Sequence, residues 1–341
     1  MKFTYEVEHL KSDFYKFLRG SPETSEILKY LPSKVLYTGS GRAALRIILE
    51  HLKYKGVLED RNDQVLVPRW ICQSLIYTMH RFCHPTLEVA KGLKAVMVYH
   101  QYGFPQKIEE IRDFCDTHKI VLIEDCANVF GGYYKDRQMG SFGLCSIFSF
   151  SKFFPSILGG ALTTSDHELF EFGIKRIRNS RYSGLSYLGR FLYDCLRDTR
   201  FSGFAGNFQE MTYALADSAF AIRKMSINVI NRQLIGRAIE RRRENYLFIL
   251  DYFKDRPEYF DGLEREGVVP YVLPLFDKNE GRLASIADKL NKNHIFSGVY
   301  HFDANRNILN PRFVKCVWIP VHQGLTLERI EEICKLIKQA V

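Results

Sequence analysis

The feature that most constrains this chain is a series of short, unbroken apolar runs, separated by segments with helical period. Ala95–Tyr99 reads AVMVY and Ile120–Ile123 reads IVLI, with no polar alternation in either. Such runs suit strands buried on both faces, which means a sheet with helices packed on each side. Val35–Thr38 is a further short strand, followed by a Gly-Ser-Gly turn and a helix from Arg42 to about Lys53 that lines up Ala44, Leu45, Ile48, Leu49 and Leu52 on one stripe. Gln64–Val67 is a strand stopped by Pro68, and helices are expected over 73–82 and 108–117. Ser146–Phe150 and Gly160–Thr164 bracket a third glycine-containing loop. Strands alternating with helices predict an α/β chain with a mainly parallel central sheet wrapped by helices.

Outside that block the pattern changes. Residues 1–30 read as a helical lead-in closed at Pro32, and 167–255 as mostly helical and basic. Gly184–Gly206 is rich in Gly, Ser and Arg and reads as a long loop, about 180–210. Residues 265–341 suggest a smaller α+β unit, with strands Tyr271–Pro274 and Cys316–Pro320 and helices Gly281–Asn291 and Leu327–Val341. A chain of 341 residues is expected to form about two domains, here a large one over 1–255 and a small C-terminal one over 256–341.

Several classes fall away. No stretch of 18 consecutive apolar residues occurs, so no membrane span is expected. The N-terminus is charged throughout and lacks the apolar centre of a signal peptide, which points to the cytoplasm. The eight cysteines include no C-x-x-C pair, so no metal site is expected and the thiols should be reduced. Net charge is +9, which favours anionic small molecules. The basic residues are dispersed apart from the Arg237–Arg243 run, so no nucleic-acid footprint stands out.

In open α/β sheets, ligands gather at the carboxyl ends of the strands, and the unusual residues lie there. Gly39-Ser40-Gly41-Arg42 opens a helix after the first strand, which exposes N–H groups at a positive helix end suited to phosphate. The same turn also precedes helices that bind nothing. Glu124-Asp125 closes the IVLI strand; a carboxylate there could meet a cationic ring nitrogen or simply cap a turn. Lys152 follows Ser149-Phe150-Ser151, ahead of Phe153-Phe154. Partial desolvation would favour its neutral, nucleophilic amine, although a lone lysine in such a run can also snorkel to solvent. Phosphate cradle, then acid, then lysine is the order of fold type I pyridoxal-phosphate enzymes.

With those residues in view the sequence resembles the DegT-type family of nucleotide-sugar aminotransferases, from about Thr38 to the C-terminus. The motifs are VLIEDCANVFGGYYKDRQMGSFGLCSIFSFSKFFPSILGGALTT (121–164), with Gly159-Gly160 seven residues beyond Lys152, together with GSGRAAL (39–45), VLVPRWIC (65–72), VYHQYGFP (98–105) and WIPVHQGLT (318–326). The resemblance implies a fold type I PLP-transferase with pyridoxal 5'-phosphate in Schiff-base linkage to Lys152. It implies that Lys152 also moves the proton between the α carbon and the cofactor, and that Asp125 keeps the pyridine nitrogen protonated. Asn128 stands where the family usually has Gln or His near the cofactor's ring oxygen. The backbone amides of Gly41 and Arg42 and the Ser149 hydroxyl match the phosphate ligands, and Trp70-x-Cys72 matches a ring-stacking segment in which Cys72 faces the ring. The implied reaction moves an amino group, with glutamate as donor, to a keto-sugar carried by a nucleotide, as in surface polysaccharide or glycoconjugate synthesis.

The resemblance also implies a homodimer in which 180–210 reaches across, with Asn207 approaching the partner's cofactor phosphate; the alternative is that Asn207 caps a helix over 211–223. Three departures stand out: Leu144 replaces an aspartate, Glu210 stands where arginine is common, and only Ser151 separates Phe-Ser-Phe from the lysine. A dehydratase of the same fold, in which the lysine is typically replaced by histidine, and an inactive scaffold are the alternative readings.

Overall fold

The computed structural model describes residues 25–341 apart from 180–182, 198, 200, 219, 233 and 234. Of the expected lead-in helix, one turn, Ser25–Leu28, is described, and the rest lies outside the described residues.

Seven strands make the main sheet: β1 (Lys34–Thr38), β2 (Gln64–Leu66), β3 (His84–Thr86), β4 (Ala95–Tyr99), β5 (Val121–Asp125), β6 (Cys145–Ser149) and β7 (Gly160–Thr164). Their order is β1-β7-β6-β5-β4-β2-β3. From β6 across to β3 every neighbouring pair is parallel, while β7 runs antiparallel to both β6 and β1. The sheet is therefore mainly parallel, as the apolar runs predict. Only β3, the edge strand His84-Pro85-Thr86, escapes the sequence pattern, because it has three residues and no apolar run.

The helices between these strands are α1 (Gly41–Tyr54), α2 (Gln73–Met79) and α3 (Ile108–His118). α1 begins where Ser40, in extended conformation, accepts a hydrogen bond from the Ala43 N–H. It buries Ala44, Leu45, Ile48, Leu49 and Leu52, so the expected stripe is the packed face. After β7 come α4 (His167–Arg178), α5 (Ser183–Leu196), α6 (Ser202–Leu215), α7 (Lys224–Arg232) and α8 (Ile235–Tyr252).

The expected long loop over 180–210 is thus wrong: α5 and α6 occupy most of it and pack on each other. The glycines that suggested a loop include a packing glycine. A Cβ on Gly189 would lie 2.7 Å from both Met211 Cε and Thr212 Oγ1, so the small residue lets the two helices approach. The expected helix over 211–223 is displaced as well. α6 starts at Ser202 and ends at Leu215, so Asn207 lies inside it and caps nothing.

The C-terminal part holds β8 (Val272–Phe276), α9 (Glu280–Lys292), β9 (Val299–Asp303), β10 (Phe313–Pro320) and α10 (Leu327–Ala340). Its sheet, β8-β10-β9, is antiparallel. β9 was not expected, since only its last two residues are buried and no apolar run marks it. One apolar core joins the two parts, running from Phe104, Phe130 and Phe153 to Val272, Ile319 and Ile337. Among the described residues no helix is long and apolar enough to cross a membrane.

Candidate active site

The cross-strand register places Tyr99 beside Asp125, Asp125 beside Ile147, and Ser149 beside Gly160, which faces Thr38. The ends of β4, β5, β6 and β1 and the start of β7 therefore share one rim, and the chemistry-bearing residues sit on it.

β5 ends in two adjacent buried carboxylates with different surroundings. Glu124 Oε1 accepts the N–H groups of Phe142 (2.6 Å) and Gly143 (2.7 Å), and Oε2 accepts that of Gly140 (3.0 Å). His100 Nδ1 accepts the Gln106 N–H at 3.2 Å, which leaves the proton on Nε2 to be donated to Glu124 Oε2 at 3.1 Å. Glu124 is thus the hub of the 140–143 turn. That turn needs its glycines: Gly140 has a φ of +91°, and a Cβ on Gly143 would lie 2.5 Å from the Leu122 carbonyl oxygen. Leu144, where the family has aspartate, is half-buried against the apolar core around α1, so the departure is accommodated by packing.

Asp125 has one hydrogen bond among the described residues, from the Ala127 N–H at 2.9 Å to Oδ1. Burial pushes its carboxyl above the ordinary value, and the Lys152 ammonium, the Ala127 N–H and His100 pull it back down. The site therefore has the chemistry of a carboxylate waiting for a nearby cation.

Lys152 closes a 3-10 turn, Phe150–Lys152, directly after β6. Its Nζ lies 5.5 Å from the centre of the Tyr271 ring. The segment beyond is strained: Ile157, a β-branched residue, has a φ of +61°, a conformation that costs roughly 1–3 kcal/mol. Tyr187 of α5 secures it by donating to the Leu158 carbonyl at 3.2 Å. At Gly160 a Cβ would lie 2.5 Å from the Phe148 oxygen and 2.7 Å from the Gly41 nitrogen, so β6, β7 and the start of α1 meet with no room for a side chain. Ser149 and the first-turn N–H groups of α1 stand at that junction, where a helix leaves its donors unpaired and its dipole positive.

Asn128 is buried. Its Oδ1 accepts from the Tyr99 hydroxyl, and its Nδ2 has no partner among the described residues. Burial pushes the Tyr99 phenol well up, so the hydroxyl stays a donor. A buried unpaired donor costs about 1–3 kcal/mol unless something accepts from it.

The remaining expected residues are more scattered. The Arg42 side chain is bound away from the junction: Nη1 donates to the Tyr213 carbonyl at 3.0 Å and the guanidinium lies 5.0 Å over the Tyr213 ring. Burial lowers its pKa. Cys72 is exposed in front of α2, with Sγ 3.0 Å from Ser74 Oγ, and lines a cavity of about 540 Å³ with Arg42 and Tyr213. Trp70 lies on a different cavity, of about 370 Å³, with Tyr99, Gln106 and His301. Its ring stacks on His301 with centroids 4.3 Å apart and planes within 5°. Asn207 is exposed on α6 and lines neither cavity.

His100 and the bracing role of Glu124 were missed from sequence; the only signal was the Glu-Asp pair at the strand end. His100, Glu124 and Cys126 are grouped closely enough to suggest metal ligands among the described residues. Glu124 already accepts four donors, one of them His100, so these two side chains are engaged in bracing the 140–143 turn.

Residues 86–338 match the DegT/DnrJ/EryC1/StrS aminotransferase family. The chain belongs to that family. Among curated relatives it is 32% identical over 111 residues to GDP-perosamine synthase of Escherichia coli O157:H7, covering 32% of this chain and 29% of that one. It is 36% identical over 170 residues to L-glutamine:2-deoxy-scyllo-inosose aminotransferase of Micromonospora echinospora, covering 44% and 38%. These matches thus span well under half of the relatives' own length. Whole-fold likeness is closer to complete. Helicobacter pylori PseC, an aminotransferase involved in the biosynthesis of pseudoaminic acid, superposes with a TM-score of 0.69 at 17% identity over 100% of this chain and 99% of its own. An E coli GDP-4-keto-6-deoxy-D-mannose-3-dehydratase with bound hydrated PLP superposes with a TM-score of 0.64 at 18% identity, over 98% and 90%.

Proposed function

We propose that this family member is a pyridoxal-phosphate-dependent aminotransferase that moves an amino group, with glutamate as donor, onto the keto group of a nucleotide-linked sugar. One observation carries the reading: the rim of the sheet holds a buried carboxylate with a single hydrogen bond among the described residues, a lysine near it, and a buried amide donor with no acceptor among them. These three residues fit the cofactor. Asp125 would face the ring nitrogen, the Asn128 Nδ2 would find its acceptor on the ring, and the Gly41 and Arg42 N–H groups with the Ser149 hydroxyl would take the phosphate. Cys72 would lie against the ring face. Trp70 is better placed for the sugar, as a wall of the cavity beside Tyr99.

When bound, pyridoxal phosphate supplies an electron sink at a protonated ring nitrogen. Asp125 holds that proton, because a buried carboxylate is stabilised by a cation in contact with it. Lys152 Nζ anchors the group and serves as the base that takes the donor's α proton and returns one to the sugar carbon. The Tyr99–Asn128 pair orients the ring, and the buried Phe150, Phe153 and Phe154 fix the turn that carries the lysine.

The proposal extends to a homodimer. α5 and α6 leave Leu185, Leu188 and Phe204 exposed, apolar side chains that a second copy would cover, bringing Asn207 toward the partner's phosphate. It also includes a cytoplasmic setting, a role in surface polysaccharide or glycoconjugate synthesis, and a division into 1–255 and 256–341, supported by the separate sheets on either side of that boundary.

The dehydratase reading is disfavoured by Lys152, which stands where such enzymes carry histidine. Incubating the PLP-loaded protein with glutamate and a panel of keto-sugar nucleotides separates the two. An aminated sugar and stoichiometric 2-oxoglutarate support the proposal, whereas a dehydrated, unaminated sugar overturns it.

A further inference from the structure

The basic run at 237–243 leaves one residue unexplained by surface charge. Arg242 on α8 is 1% exposed. Its Nε donates to Gln323 Oε1 at 2.7 Å, and its Nη1 reaches the carbonyls of Pro270 and Tyr271, each at 3.3 Å. The guanidinium lies 4.7 Å over the Phe153 ring. Gln323, beyond β10, passes the connection on: its Nε2 donates to the Phe153 carbonyl at 2.6 Å. Phe153 is the residue after Lys152, and Tyr271 supplies the ring that faces the Lys152 amine. One turn further along α8, Asn245 Nδ2 donates to the carbonyls of Val321 and His322, fixing the segment that carries Gln323.

We propose that Arg242 and Gln323 form a latch that positions the Lys152 turn and the Tyr271 ring relative to each other, so that the C-terminal part sets the geometry of the lysine. The argument rests on the reading of Lys152 given above. A buried guanidinium needs compensation, and a simple structural brace could bond any nearby carbonyl. Here the bonds go to both sides of the lysine: the backbone that follows it, through Gln323, and the carbonyl of the residue whose ring it faces. Only the planar fork of arginine can stack on Phe153 while donating edge-on in two directions. Arg242 and Gln323 are positioning residues, since neither touches the reacting atoms.

The test uses the full-length, PLP-loaded protein with Gln323→Leu, Arg242→Met, Arg242→Lys and the double variant Arg242→Met/Gln323→Leu. Gln323→Leu is at a half-buried site and serves as the variant that keeps its fold. Three results are expected. The pH midpoint of the cofactor's visible absorbance shifts measurably, kcat for the glutamate half-reaction falls about tenfold or more with KM changed less than about threefold, and the double variant is no worse than Arg242→Met alone. Arg242→Lys restores little. The latch is overturned if Gln323→Leu lowers only the melting temperature and leaves the midpoint and kcat as in the parent, or if the two single effects add. Failure of the parent protein to bind PLP at all would instead bring down the proposed function.

Discussion

At the rim of the sheet, Glu124, Asp125 and Asn128 are buried, whereas the α5–α6 pair presents Leu185, Leu188 and Phe204 to solvent. The rim has polar groups short of partners; the helical pair has apolar groups short of cover. The first deficit asks for a small polar ligand and the second for a protein surface. The same contrast recurs inside the rim, where Glu124 accepts four donors and Asp125 only one among the described residues. Adjacent on one strand, one carboxylate braces a turn and the other is, on the proposed reading, kept for the cofactor.

The largest effect is expected from the lysine. Lys152→Ala should retain the fold, because the side chain is half-buried and the turn closes through the backbone bond from the Phe153 N–H to the Phe150 carbonyl. It should lose transamination by about four orders of magnitude or more. Borohydride treatment should then fix no cofactor to the protein; a covalently labelled variant would show that another residue is the anchor.

The two carboxylates should respond in opposite ways. Glu124→Gln turns an acceptor into an amide whose N–H groups face the donors of Gly140 and His100, and should destabilise the protein by about 2–4 kcal/mol. Asp125→Asn keeps the acceptor for Ala127 and removes a buried charge. Because burial raises the Asp125 pKa from 3.8, the folded state holds its proton more tightly than the unfolded one. This group's contribution to stability is therefore most favourable at low pH and declines as pH rises through the folded value. The cofactor-free Asn variant should accordingly be at least as stable as the parent at pH 7, with a flatter acid-side profile, while turnover falls by about three orders of magnitude. Thermal melts against pH, with and without PLP, check both arms. Destabilisation of both variants to the same degree would erase the distinction between the two residues.

On the helical pair, Leu188→Glu and Phe204→Glu should convert a dimer to monomers in sedimentation, with little change in the melting temperature of the monomer. Mixing a Lys152→Ala chain with an Asn207→Ala chain tests whether the site is shared. One site of the mixed dimer would carry both lesions and the other neither, so activity should partly return, up to about half per mixed dimer. A monomeric parent protein, or no rescue, removes the shared site.

The rim was legible in the sequence because its signals are local and geometric: unbroken apolar runs for β4 and β5, a Gly-Ser-Gly entry to α1, and the Ser-Phe-Ser-Lys turn after β6. Lys152 and Asp125 could be placed from these because strand ends share a rim in such sheets. The helical pair was misread because glycine has two uses. Gly189 serves a close helix contact, and its neighbours Leu185, Leu188 and Phe191 already carried the helical spacing. β9 and Glu124 were less accessible for another reason. Their roles depend on partners distant in the chain, such as β10 for the strand and Gly140–Gly143 for the carboxylate, and no local pattern encodes such a meeting. Arg242 was hidden inside a run that reads as surface charge.

The smallest effect is expected at Trp70, which was grouped with the cofactor ligands by its motif but sits on the cavity beyond Tyr99. The parallel stack on His301 and the edge-on Phe313 ring, 6.4 Å away, make an aromatic wall that bridges the loop after β2 and the small sheet. If that wall holds the sugar nucleotide, Trp70→Ala should leave PLP binding and the glutamate half-reaction unchanged and should raise KM for the acceptor by about tenfold, the worth of one aromatic contact of about 1.4 kcal/mol. Trp70→Phe should recover part of the loss, since the stacking face remains. If Trp70 instead contacts the cofactor, the PLP dissociation constant and the visible absorbance would change while the acceptor KM stayed fixed. Titrating PLP into the cofactor-free variant and measuring both half-reactions separately distinguishes the two outcomes, and it places Trp70 either with the cofactor residues of the rim or with the cavity proposed for the second substrate.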